Sequence, residues 1–204
     1  MITSLPNLLT LSRIAVIPVL VALFYVDGAP ARWLACALFT AACITDYFDG
    51  YLARIWRQDS DFGRFLDPIA DKLLVASTLF MLVAMEHVSG LGILPALVIL
   101  CREILVSGLR EFLAGVKLRV PVSRLAKWKT AIQMVAIGFL VVGEAGPSFL
   151  PTLTIGEIGL WVAAGLTLVT GYDYLLAGLR HMSGEAPASA KPPVKGVEPV
   201  RPAG

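Results

Sequence analysis

The chain has 204 residues, 57% of them hydrophobic and only 16% charged, with a mean hydropathy of +0.76. Such a composition excludes an ordinary soluble domain, and the length suffices for about six membrane-spanning helices. A net charge of +2 gives no support to nucleic-acid binding, and the three cysteines, Cys36, Cys43 and Cys101, lie in apolar stretches with no metal-type pairing or disulfide framework.

Apolar runs of spanning length fall at 8–25, 33–55, 65–85, 91–113, 130–142 (with a polar approach) and 155–179. The expected architecture is an all-α polytopic membrane protein, with six transmembrane helices in a catalytic domain over 1–182. From 183 to 204 the sequence is rich in Pro, Ala, Gly, Lys and Glu without apolar periodicity, which predicts a disordered tail. In the first run Asn7, Thr10 and Arg13 recur every three residues and form a polar stripe on one side of a helix. A cleaved leader has no need of such a stripe, so the first helix is expected to remain in the protein.

The connections alternate in charge. Arg54, Arg57 and Arg64 surround the second turn, and Arg110, Lys117, Arg119, Arg124, Lys127 and Lys129 crowd the fourth. The tail begins at Arg180, whereas 86–92 and 143–154 contain no Lys or Arg. The positive-inside rule then places both termini, and the basic end of spans two and three, in the cytoplasm.

That same end carries the residues with chemistry. Between Asp46 and Asp71 the chain reads Asp46-x2-Asp49-Gly50-x2-Ala53-Arg54-x8-Gly63-x3-Asp67-x3-Asp71. Asp46, Asp49, Gly50, Ala53 and Arg54 lie at offsets 0, 3, 4, 7 and 8, one face of a helix, and Asp67 and Asp71, four apart, share a face of the next. A short connection containing Gly63 makes spans two and three antiparallel neighbours, so two carboxylate pairs are expected to face each other across a helix hairpin. Each charge near the bilayer centre costs roughly 2.5 to 3.5 kcal/mol on the insertion scale, and four acids against one nearby arginine leave an excess of negative charge to be neutralised. Hard divalent cations in contact with a diphosphate satisfy that requirement. Gly50 permits close approach of a ligand, and Arg54 is placed to fork onto a phosphate or a carboxylate.

All eight fixed positions match the signature of the CDP-alcohol phosphatidyltransferase (class I) family, which this chain resembles over about residues 4 to 180. At background residue frequencies a chance match is on the order of 10⁻⁹ per starting position. The resemblance implies six spans with the signature bridging the second and third. It also implies transfer of a substituted phosphate from a CDP-linked donor to an alcohol with release of CMP. Two Mg²⁺ or Mn²⁺ ions would be held by Asp46, Asp49, Asp67 and Asp71, with Asp71 also the general base. Asn7, Thr10, Gly50, Arg54 and Ser60 would contact the donor, CDP-diacylglycerol.

Within the family, the chain is most similar to the branch whose acceptor is sn-glycerol 3-phosphate. The likeness rests on Asn7-Leu8-Leu9-Thr10-x2-Arg13, Leu66-Asp67-Pro68-x-Ala70-Asp71-Lys72, Arg102-Glu103 with Arg110-Glu111, Lys127-x-Lys129-Thr130 and Gly171-Tyr172-Asp173-Tyr174. A phosphate-bearing acceptor requires a second basic cluster, for which Arg102, Arg110, Lys127 and Lys129 are candidates. Lys127 and Lys129 also suit interfacial positions, while Arg102 lies well inside an apolar run, with Glu103 as a candidate partner. Another acceptor in the same family (inositol phosphate, serine or phosphatidylglycerol) and a divalent-cation transporter are the competing readings. Neither His87 nor His181 begins a His-x-Lys motif, which argues against phosphohistidine chemistry. The resemblance further implies a homodimer in a bacterial inner membrane with the active site on the cytoplasmic side.

Overall fold

The computed structural model describes residues 5–56, 61–115 and 124–182. Six α-helices account for nearly all of them: α1 (Leu5–Phe24), α2 (Ala29–Trp56), α3 (Asp61–Ala84), α4 (Ile93–Gly115), α5 (Arg124–Val142) and α6 (Thr152–Met182). Single 3₁₀ turns at Gly90–Gly92 and Gly143–Ala145 lead into α4 and out of α5, and no strand occurs among the described residues. The predicted tail, 183–204, lies outside the described residues.

Among the described residues four segments are long and apolar enough to cross a bilayer: Asn7–Phe24, Gly90–Gly115, Leu125–Ala145 and Thr152–Leu176. The chain is thus a multi-pass membrane protein. α2 and α3 do not meet that composition, although both were predicted as spans. Asp46, Asp49 and Arg54 occupy the last part of α2, and Asp61, Arg64, Asp67, Asp71 and Lys72 the first half of α3. Their apolar halves feed the common core, to which each helix contributes: Leu20, Phe39, Leu79, Ile99, Ile137 and Leu160 are all buried.

Three features depart from the sequence-based expectation. Gly63 lies buried in the first turn of α3 and not in a connection before it. A helix start at Asp61 is favourable because an acidic residue complements the positive end of the helix dipole. Second, α1 packs extensively against both α2 and α3, which among the described residues also touch each other directly. The polar stripe of α1 explains this: Asn7, Thr10 and Arg13 are all buried, and polar side chains in an apolar bundle are stable only against polar partners. Third, α5 begins at Arg124, about a turn and a half before the predicted 130. Lys129 therefore lies inside the helix and is buried, where an interfacial position had been an equal expectation.

α5 packs most closely along α6, which also supports α4. The closeness depends on small residues: a Cβ at Gly159 would lie 2.8 Å from that of Ala136, and one at Gly156 would lie 3.0 Å from the Ala136 carbonyl. At the end of the bundle away from the aspartates, side chains close the connections. Trp33 Nε1 donates to the Ala145 carbonyl at 3.1 Å, the His87 ring bonds the Leu140 carbonyl at 2.8 Å, and Thr152 donates to the Gly143 carbonyl.

Candidate active site

α1 binds both acidic helices through its polar stripe. Arg13, 1% exposed, places Nη1 2.8 Å from Asp46 Oδ1 on α2. One turn earlier, Thr10, fully buried, donates its hydroxyl to Asp67 Oδ1 on α3. The ion pair and the hydrogen bond each engage one of the two oxygens of their carboxylate, so each aspartate is oriented and retains acceptor capacity. Arg13 also supplies a positive charge to an acidic end that the signature alone leaves strongly negative. Asn7 is buried one turn before Thr10 on the same face.

α3 continues from Asp67 to Asp71 and Lys72. Pro68 sits inside this helix, and Lys72 folds back to donate Nζ to the Pro68 carbonyl at 2.8 Å. The ammonium is thus held beside the acidic face. Asp71 and Lys72 form one wall of a cavity of about 440 Å³ between α3, α4 and α5, whose other polar residues include Glu103, Ser107, Glu111, Lys129 and Gln133.

From the cavity wall a three-helix ionic network runs back into the bundle. Lys129 on α5 donates to Glu103 Oε1 on α4, and the same oxygen accepts from Arg102 Nη1 at 3.2 Å. Arg102 Nη2 reaches Thr170 Oγ1 on α6 at 3.0 Å. One carboxylate between two cations leaves the network with one net positive charge. Gly171 lets Arg102 lie flat on α6, because a Cβ there would approach the arginine Cγ and Nε to 3.1 Å. Further along α4, Arg110 stacks over the Tyr174 ring, 5.4 Å from its centroid, and donates to the Tyr174 hydroxyl at 3.4 Å.

Of the candidate acceptor cations, then, Lys129 lines the cavity and Arg102 stands behind it, tied to Glu103. Arg110 is held by Tyr174, and Lys127 is exposed; neither lines the cavity. Among the candidate metal ligands, Asp46 and Asp67 are linked through α1, and Asp71 belongs to the cavity wall. No group of three His, Cys, Asp or Glu side chains converges as a ligand set among the described residues. The side chains of Asp49 and Arg54 lie outside the described residues; Gly50 is described only as helical backbone in α2, and Ser60 not at all.

Two residues escaped the sequence reading as site residues. Arg13 was visible as part of a stripe, but nothing in the sequence says which helix that stripe meets. Gln133 follows Lys129 by four residues and so shares its face, a signal hidden by reading the polar start of this span as interfacial.

A family model described as CDP-alcohol phosphatidyltransferase matches residues 3–169. A protein of Rickettsia typhi called CDP-diacylglycerol--glycerol-3-phosphate 3-phosphatidyltransferase is 52% identical over 174 residues, covering 85% of this chain and 96% of that one. Proteins of the same name from Cereibacter sphaeroides (38% identical, covering 89% and 98%) and, numbered 2, from Arabidopsis thaliana (43% identical, covering 82% and 76%) are also similar. With the signature at 46–71, the helical bundle around it and relatives aligned over most of their own length, this chain belongs to the CDP-alcohol phosphatidyltransferase family.

Proposed function

We propose that the chain transfers the phosphatidyl group of CDP-diacylglycerol to sn-glycerol 3-phosphate, forming phosphatidylglycerophosphate and releasing CMP. The observation that carries this reading is a single cavity that presents Asp71 on one wall and the buried Lys129–Glu103 pair on another. A carboxylate and a cation so placed suit an acceptor with a hydroxyl at one end and a phosphate at the other. The names of the similar proteins point to the same pair of substrates.

Asp71 takes the proton of the attacking hydroxyl, and Lys129 binds the acceptor phosphate. Arg102 acts mainly as a positioning residue that fixes Glu103 and contributes charge. Arg110 and Lys127, nearer the cytoplasmic end, attract the anionic acceptor over a longer range. On the donor side Asn7, Gly50, Arg54 and Ser60 contact the cytidine diphosphate. The hydroxyl proton of Thr10 is already donated to Asp67, so Thr10 acts on the donor through that carboxylate.

Asp46, Asp49, Asp67 and Asp71 are assigned to two divalent cations, Mg²⁺ or Mn²⁺. The all-carboxylate donor set suits hard ions, and the orientation of Asp46 by Arg13 and of Asp67 by Thr10 fits that role. When bound, such ions polarise the diphosphate and stabilise the CMP leaving group. The test is direct: protein in detergent with CDP-diacylglycerol, Mg²⁺ and a panel of alcohols should release CMP with glycerol 3-phosphate and yield phosphatidylglycerophosphate. CMP release only with inositol phosphate, serine or phosphatidylglycerol would replace the acceptor and keep the family; divalent-cation flux without CMP release would replace the reaction.

All six helices are taken to cross a bacterial inner membrane, α2 and α3 with their charged halves at the cytoplasmic side together with both termini, and the protein to work as a homodimer. In a cysteine-free background, Cys placed at the exposed Ser89 and Ser148 should react with an impermeant thiol reagent added outside cells, and Cys at position 189 should not. The inverse labelling pattern would reverse the topology. Gly171→Ala tests the Arg102 support: Arg102 must shift by a few tenths of an ångström, so KM for glycerol 3-phosphate should rise a few-fold with KM for CDP-diacylglycerol unchanged. Equal effects on both substrates would contradict the assignment of Arg102 to the acceptor side.

A further inference from the structure

Gln133 is 2% exposed, lines the cavity beside Asp71, and its side-chain oxygen is buried with no hydrogen-bond partner among the described residues. Buried acceptors are nearly always paired, and one left without a donor is costly. Lys129, one turn away on the same face of α5 and about 6 Å along its axis, donates to Glu103 and not to this oxygen. The residue lines a cavity that also holds an ammonium and a carboxylate, and rotation of its unpartnered amide about the terminal side-chain torsion would present the oxygen to a ligand that brings its own hydroxyl.

We infer that Gln133 accepts a hydrogen bond from the hydroxyl of the acceptor substrate that does not react, the one on the central carbon of glycerol 3-phosphate, and so selects a vicinal diol phosphate over a simple alcohol phosphate. The inference rests on the function proposed above. Glycerol 3-phosphate has three polar positions, a phosphate, a reacting primary hydroxyl and a central hydroxyl. Lys129, Asp71 and Gln133 offer one matching group for each. A substrate lacking the central hydroxyl would bury the Gln133 oxygen a second time without a donor, and sites with unpaired polar groups reject such analogues strongly.

The test compares kcat/KM for sn-glycerol 3-phosphate with that for 3-hydroxypropyl phosphate, which keeps the phosphate and the primary hydroxyl but lacks the central one. The wild-type enzyme should favour glycerol 3-phosphate by about 10- to 100-fold. Gln133→Met, close in length and without the amide oxygen, should bring the ratio to within about 3-fold, by losing activity on glycerol 3-phosphate and not on the analogue. Gln133→Asn, which retracts the amide while keeping its polarity, should also collapse the ratio. A purely structural glutamine would lower both activities together and leave the ratio intact.

A wild-type ratio near one overturns the inference without any variant, and so does a Gln133→Met or Gln133→Asn enzyme that keeps the wild-type ratio. Absence of CMP release from wild-type enzyme with either phosphate overturns the proposed function, and this inference with it. A functional enzyme with an unchanged ratio overturns the inference alone.

Discussion

Asp67→Asn and Asp71→Asn should each lower the rate of CMP release by about a thousandfold or more, about 4 kcal/mol of transition-state stabilisation, while helical content and detergent melting temperature stay near wild type. Asparagine preserves shape and one oxygen acceptor, so the Thr10 hydroxyl keeps a partner at position 67 and α1 stays seated. What disappears is the negative charge that would hold a cation against the diphosphate, and at position 71 the proton acceptor as well. Asp46→Asn should fall in the same range, with the added consequence that buried Arg13 faces a neutral partner. Thr10→Val separates orientation from charge: it removes one hydrogen bond to a carboxylate and should cost about tenfold, far less than the loss of the carboxylate. EDTA should abolish turnover and added Mg²⁺ restore it. Near-full activity in Asp67→Asn, or undiminished turnover in EDTA, would sink the two-metal assignment.

Helical spacing alone puts Asp46 with Asp49, and Asp67 with Asp71, on common faces, and of these the structure sets Asp46 and Asp67 against α1 and Asp71 in the cavity wall. The helices were equally legible, since uninterrupted apolar runs in a membrane-like composition leave few alternatives. What the sequence withheld was which faces meet. The stripe Asn7, Thr10, Arg13 was apparent, but its insertion between α2 and α3 depends on contacts 33 and 57 residues apart, Arg13 with Asp46 and Thr10 with Asp67. The burial of Lys129 depends on a distant contact too: its partner, Glu103, is 26 residues away on a different helix, and without that partner a lysine near the start of a span suits an interfacial position as well as a site. Glu103 was read as a partner for its neighbour Arg102, and it turned out to serve both cations.

These packings follow from one physical constraint. A polar group in an apolar bundle must find its partner inside the protein, so intramembrane polar residues select which helices touch. Here they join the bundle in two sets. Arg13 and Thr10 tie α1 to the acidic halves of α2 and α3, while Arg102, Glu103, Lys129 and Thr170 tie α4, α5 and α6 together. The cavity with Asp71 on its wall lies between α3 of the first set and α4 and α5 of the second. If the proposed function holds, donor binding would fall mainly to the first set and the acceptor phosphate to the second, with Asp71 between them, and substitutions in each should be separable kinetically.

Lys129 is where that separation should be largest on the acceptor side. Lys129→Met removes a charge-assisted phosphate contact worth about 1.5 to 3 kcal/mol, so KM for glycerol 3-phosphate should rise about 10- to 150-fold, with KM for CDP-diacylglycerol little changed. Part of that loss has a second origin: with Lys129 gone, Glu103 is balanced by Arg102 alone, and the network falls from one net positive charge to neutral with a carboxylate facing the incoming phosphate. The double substitution Lys129→Met with Glu103→Gln restores the positive charge by leaving Arg102 uncompensated, and it should recover several-fold of the affinity lost in the single variant. Arg54→Ala should show the opposite kinetic split, weakening the CDP-diacylglycerol side, and Lys127→Ala, at an exposed position, should alter KM less than about twofold at physiological salt. If Lys129→Met leaves KM for glycerol 3-phosphate unchanged, the phosphate does not bind at this cavity. If the double variant is no better than the single, the carboxylate of Glu103 does not face the substrate, and the network serves only to hold α4, α5 and α6 together.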